Sequence, residues 1–253
     1  YNLRQAKKSH GFTHYHHFHT RRALISLAAL YEYASKTSNP WLSKFFVEQT
    51  VLGMSKIARY VPSHFSQVNQ YLTGTLYVAS QVVDVHPNYI LKGKIKRLPK
   101  ALELLKHTQI TYTGSAIDTG IDSSSLDYIF TDPPFGANIM YSDLNFFWES
   151  WLKTRTNIKT EAIENSVQNK SMLDYQALMF LCFQEYHRIL KPGKWMTVEF
   201  SNTSAAIWNG IQTALTQSGF VIANIAALDK KQRSFKSITS AIAVKQDLVI
   251  SCY

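Results

Sequence analysis

Cysteine is scarce in this 253-residue chain: Cys182 and Cys252 stand far apart, each among apolar residues. That excludes a disulfide framework and reads as buried thiols in a reducing, cytoplasmic setting. No stretch approaches the ~20 uninterrupted apolar residues of a membrane span, so no membrane partner is expected. Glycine numbers 10, and no two glycines are spaced as Gly-x-Gly. The backbone turn that would let the chain approach a bound cofactor closely is therefore missing from the pattern. Acidic residues are also few, 17 against 27 Lys and Arg, for a formal charge of +10. The opening Tyr1-Asn2-Leu3-Arg4 has no signal-peptide character and reads as the front of a piece of a longer polypeptide.

What is present points another way. Hydrophobic residues make up 45% of the chain, enough to bury a core, and aromatics reach 13%. A basic surface combined with many aromatic rings suits a protein that handles nucleic acid.

Helical spacing runs from Arg21 to about Lys36, and again from about Pro40 to Tyr60, closed by Pro62. Residues 61–90 alternate irregularly, with a short strand suggested at Thr75–Val78. Lys92–Lys106 reads as a basic amphipathic helix interrupted near Pro99. The pattern then becomes regular: a strand at Gln109–Thr113, a buried strand at Leu126–Thr131, a helix at Leu173–Leu190, and a strand at Trp195–Phe200. A helix at Ala205–Ser218 and a strand at Phe220–Ala226 follow, then a basic loop and an apolar run at Ala241–Tyr253. Alternating strands and helices predict a doubly wound α/β sheet. The last two strands are joined without a crossover helix, so the final one must run antiparallel.

The strongest chemical signal is Asp132-Pro133-Pro134-Phe135-Gly136, directly after the buried strand. In open α/β sheets ligands bind beyond the carboxyl ends of strands. Two prolines stiffen the loop and donate no N–H, a carboxylate or carbonyl there can accept hydrogen bonds from an amino group, and Phe135 can stack on a planar ring. Together these suit a flipped-out base whose exocyclic amino group is to be alkylated. Gly136, Asn138 and Tyr141 stand close enough in sequence to line the same base pocket.

On this loop the chain resembles the DNA amino-methyltransferases that act on adenine N6 or cytosine N4. The likeness continues through Asn138-Ile139-Met140-Tyr141-Ser142-Asp143-Leu144, Leu190-Lys191-Pro192-Gly193 and Lys245-Gln246-Asp247-Leu248-Val249-Ile250. It covers residues 105–253 well and residues 1–90 loosely. The Asp-first form of the loop is more typical of the adenine enzymes. The resemblance implies a partial Rossmann-like methyltransferase sheet, mostly parallel with an antiparallel last strand, behind an N-terminal helical segment. Residues 1–90 would be that segment and 91–253 the catalytic core.

The resemblance also implies S-adenosylmethionine as cofactor, double-stranded DNA as partner, and direct methyl transfer with no covalent enzyme intermediate. Asp132 and the Pro133 carbonyl would hold the amino group, Pro134 would stiffen the loop, and Phe135 would clamp the base. The glycine-rich cofactor loop of these enzymes is expected upstream of residue 1 or in a separate subunit. Weaker cofactor candidates are Ser115 and Asp118, where the family places a polar residue beside the cofactor adenine. Phe18, Thr20 and Arg21 resemble a Phe-Thr-x-Arg element near the cofactor's methionine end. Thr20 equally reads as a helix cap, as do Ser115 and Asp118.

Two alternatives share the loop: an RNA guanine-N2 methyltransferase, and a non-catalytic DNA-binding relative that has lost its cofactor. Lys230, Lys231, Arg233 and Lys236 lie in the loop between the last two strands and are candidates for DNA-backbone contact. The histidines at 10, 14, 16, 17 and 19 have no cysteine or carboxylate beside them, and a solvated or phosphate-contacting segment fits them better than a metal site.

Overall fold

The computed structural model describes residues 4–67, 76–103, 110–137, 139–202, 204–228 and 247–253. They form helices α1 (Arg4–His10), α2 (Arg21–Ser35), α3 (Pro40–Val51) and α4 (Pro87–Glu103), with strands β1 (Arg59–Val61) and β2 (Phe65–Gln67) between α3 and α4. Then come β3 (Leu126–Thr131), α5 (Tyr141–Leu152), α6 (Met172–Ile189), β4 (Leu190–Phe200), α7 (Ala205–Gln217), β5 (Ile222–Leu228) and β6 (Asp247–Cys252). The chain divides into two compact units, Tyr1–Ile110 with Tyr141–Thr156, and Thr111–Met140 with Asn157–Tyr253.

The second unit is an α/β fold around a four-stranded sheet of order β3-β4-β6-β5. β3 runs parallel to β4, and β6 lies antiparallel to both β4 and β5. Three strands therefore point one way and the last points against them, in agreement with a partial Rossmann-like sheet closed by an antiparallel strand. Period-two alternation places Met196, Val198 and Phe200 on the face covered by α6 and α7. There they pack with Ile129, Ile250, Tyr175, Phe183, Ile211 and Leu215. α6 begins in a capping box, with the Ser171 hydroxyl and the Asp174 carboxylate satisfying each other's backbone N–H.

The first unit is mainly helical and is centred on aromatic rings. Phe18 and Phe147 are fully buried and meet edge to face at 5.3 Å, and Phe12 packs on Phe18 at 5.1 Å. The aromatic run 145–151 is thus core packing of α5. Among the described residues no helix is long and apolar enough to cross a membrane.

Several sequence expectations need correction. No strand forms over 110–113, where Ile110 and Tyr112 are 94% and 74% exposed and have no sheet to bury them; Gln109 lies outside the described residues. Residues 76–78 form no strand either, and Thr75 lies outside the description. α3 stops at Val51 rather than near Tyr60, because Gly53 in the following turn disfavours helix. α4 runs through Pro99 without a break. β3, expected to be buried, is an edge strand among the described residues, with only Ile129 buried. β4 starts five residues early, at Leu190, with Lys191-Pro192-Gly193 inside a register shift. Pro192 is tolerated there because a bulge asks for no ladder donor, and Gly193 supplies the φ of +73°.

Candidate active-site loop

Because β3 and β4 are parallel, the residues that follow them emerge at the same sheet end, the carboxyl end where ligands bind in such sheets. Asp132 is the first residue past β3 and is exposed, while Pro133 beside it is buried. The loop is fastened by side chains from two other elements. The Tyr175 hydroxyl, on α6 and 1% exposed, donates to the Pro134 carbonyl at 2.6 Å. Asn202, two residues beyond β4, donates through Nδ2 to the Phe135 carbonyl at 2.8 Å. Its Oδ1 accepts the Ser204 N–H at 2.7 Å, which fixes the orientation of the amide, and its carbonyl accepts the Trp208 indole N–H at 2.9 Å.

Phe135 is half-buried. Its ring meets Phe200 edge to face at 5.2 Å, and Phe200 meets Trp208 likewise at 5.0 Å. Gly136 turns the chain with φ +68°, and its carbonyl accepts the Glu164 N–H at 3.4 Å. Three carbonyls of the loop, those of Pro134, Phe135 and Gly136, are thus occupied by protein donors, and Asp132 is its solvent-facing acid.

A Cβ at Gly136 would stand 2.6 Å from Ile207 Cδ1 and 3.5 Å from Asn202 Nδ2. Gly136→Ala therefore combines a left-handed backbone with displacement of a buried side chain. We expect it to cost about 2 kcal/mol, read as a lowered urea midpoint with unchanged slope.

Tyr175 and Asn202 were not anticipated from the sequence. The polar Ser201-Asn202 pair directly after a buried strand was a usable signal, since it mirrors Asp132 after β3. The hydroxyl of Tyr175 had none, because its helix reads as ordinary core.

The remaining candidates lie elsewhere. The Ser115 carbonyl and hydroxyl accept the backbone N–H groups of Asp118 and Ile117, both at 3.3 Å, closing a tight turn. Asp118 stands near the last turn of α6. Its charge adds there to the Glu185 bond and Asp122 in holding the Arg188 pKa up. Arg188 donates to the Ile121 carbonyl and the Ser123 hydroxyl, and Thr119 donates twice to Glu185. The Arg188 bond holds the Glu185 carboxyl down at about 2. Ten residues separate Glu185 from Tyr175, roughly 15 Å along the helix. The turn at 115–118 is therefore fastened far along α6 from the Pro134 contact.

In the first unit Phe18 is fully buried, Arg21 is exposed, and the Thr20 hydroxyl caps α2 by accepting the Ala23 N–H at 3.1 Å. Tyr141 opens α5 in that unit. Asn138 and the basic residues Lys230, Lys231, Arg233 and Lys236 lie outside the described residues. Among the described residues no group of three or more His, Cys, Asp or Glu could hold a metal ion. Burial pushes the Cys182 and Cys252 thiols up to about 11 and about 12, so neither is suited to nucleophilic attack.

Neither a family model nor a curated relative matches the sequence. Among solved structures, the chain is similar to TTHA0409 of Thermus thermophilus, a candidate DNA modification methylase. The identity is 14% and the TM-score 0.32, over 55% of this chain and 50% of that one. The chain therefore spans about half the length of that protein. A likeness at this level leaves function to be argued from the loop itself.

Proposed function

We propose that this chain supplies the catalytic loop of an S-adenosylmethionine-dependent DNA methyltransferase acting on the exocyclic amino group of a base, adenine N6. The observation that carries the reading is Asp132-Pro133-Pro134-Phe135 at the carboxyl end of β3, fastened by Tyr175 and Asn202 with Asp132 facing solvent. A carboxylate there accepts an N–H of the amino group, aims its nitrogen, and raises its electron density. As the nitrogen forms its new bond its hydrogens become more acidic, so this hydrogen bond is strongest in the transition state. The two proline rings and the two anchoring bonds hold the acceptor in place before substrate arrives. Phe135 offers a half-exposed ring to a flipped base.

The cofactor side is different. Ser115 closes a turn, Asp118 stands by Arg188, Phe18 is sealed in an aromatic core and Thr20 caps a helix. Each of these residues has a structural role of its own, and no step is assigned to them. A further part of the protein or a separate subunit would supply a glycine-rich loop. It follows that this chain alone, titrated calorimetrically with S-adenosylmethionine, should show no binding in the low micromolar range. Binding of that strength would move cofactor recognition into this chain.

The activity test is nucleoside analysis of duplex DNA treated with the complete protein and labelled cofactor. N6-methyldeoxyadenosine is the expected product. N4-methyldeoxycytidine would change the base, and label found only on RNA guanine would change the polymer. The absence of any labelled nucleoside would refute transfer by this loop.

A further inference from the structure

The first unit has an open surface depression of about 450 Å³ lined by Tyr60, Phe65, Gln81, Val82, Val83 and Asp84. We propose that it is a binding site for single-stranded nucleic acid, taking one unpaired base, with the adjoining helix α4 tracking the phosphates. The site lies in a different unit from the catalytic loop and stands whether or not that loop transfers a methyl group.

The walls are of the right kind. Tyr60 and Phe65, both on the β1–β2 hairpin, are 46% and 45% exposed. Tyr89, in the first turn of α4, meets Phe65 edge to face at 5.8 Å and is itself 61% exposed. Base–aromatic stacking is tolerant of sequence because every base has a π-face.

Phe65 is also strained. Its φ of +70° is the left-handed region, which costs a bulky residue on the order of 1–2 kcal/mol. Glycine would relieve the strain. A ring kept at such a cost, half-exposed beside a depression, points to a use for that ring.

The polar groups fit the edge of a base. Asp84 receives Arg22 at 2.6 Å and Thr20 at 3.3 Å, both on Oδ2. Among the described residues no hydrogen bond falls on its Oδ1, which can accept from an exocyclic amino or ring N–H. The Arg22 partner moderates the negative charge that would otherwise repel a phosphate. Three residues past Asp84, α4 begins. It carries Lys92, Lys94, Lys96, Arg97 and Lys100 against Glu103, all exposed except the half-buried Lys94. A stacking platform beside a basic stripe is the arrangement by which proteins hold single strands.

The test is fluorescence anisotropy of the whole chain with a short labelled oligothymidine, the matching oligouridine, and a duplex of equal length. We expect the single strands to bind more tightly than the duplex, and the two sugars identify which polymer the site prefers. Phe65→Gly should weaken single-strand binding about ten-fold while leaving the melting temperature unchanged or raised, because glycine accepts the left-handed backbone. That pairing separates loss of the ring from loss of the fold. Lys96→Gln with Arg97→Gln should weaken binding and flatten its salt dependence. Asp132→Ala should leave all of it unchanged, which keeps this site distinct from methyl transfer. Tighter binding to duplex, or parental single-strand binding by Phe65→Gly, would overturn the proposal.

Discussion

Replacing Asp132 with alanine is expected to lower methyl transfer by the complete protein about 100-fold or more while leaving duplex and cofactor binding nearly unchanged. The asymmetry follows from where the carboxylate acts. In the proposed mechanism it makes, before reaction, one hydrogen bond to an amino group that water would otherwise serve, so its loss would change ground-state affinity little. In the transition state the same bond faces a nitrogen gaining positive charge, and its loss is felt in full. Asp132 is exposed, so the substitution empties no space in the core. Asp132→Asn keeps an acceptor without the charge and should fall between parent and alanine. Parental turnover by Asp132→Ala would make this loop a structural turn.

Phe135 needs a different control, because its ring packs on Phe200 as well as facing outward. Alanine there would remove packing and stacking together. Phe135→Tyr preserves both and should retain activity, so it is the comparison that isolates the π-face.

How far the sequence could be read depended on whether each signal was local. The Asp-Pro-Pro loop after a strand was legible because hydrophobic run, breaker and motif adjoin, although the strand expected to be buried is buried only at Ile129. α2, α6 and α7 were legible from helical spacing, and β6 from the missing crossover. The strand expected at Gln109–Thr113 was not, because alternation alone cannot reveal whether a sheet neighbour exists, and Ile110 and Tyr112 are exposed. Lys191-Pro192-Gly193 looked like the close of the preceding helix and is a bulge inside β4. The bonds that fasten the loop join residues 41 and 67 positions apart, which no spacing rule detects. Thr20 shows the converse, since a residue set in a family-like motif is placed by its plain capping chemistry.

The second large effect is a loss of stability of the first unit as pH falls through the range of an ordinary histidine. His19 is 3% exposed, and burial pulls its pKa down from 6.5 to about 4, with the Lys56 charge acting in the same direction. Its contacts specify the neutral ring. Nδ1 lies 3.2 Å from the Met54 carbonyl, which can only accept, so Nδ1 carries the proton. Nε2 then accepts from the Tyr15 hydroxyl at 2.9 Å, and the Tyr15 oxygen in turn accepts the Trp151 indole N–H. A second ring proton would face a hydroxyl already committed as a donor. Since the folded pKa lies below the unfolded value, the unfolded chain takes up the proton first. Stability is therefore greatest above pH 6.5 and declines as pH falls toward 4, by about 3 kcal/mol over the window. Urea unfolding at stepped pH should show this in the parent, whereas His19→Gln, which keeps an amide for both partners, should start lower and decline less. Glu48, whose pKa burial raises, titrates in parent and variant alike and drops out of the difference. Parallel pH profiles for the two proteins would mean that His19 carries its charge in the folded state, and that the Tyr15 network is not built around a neutral imidazole.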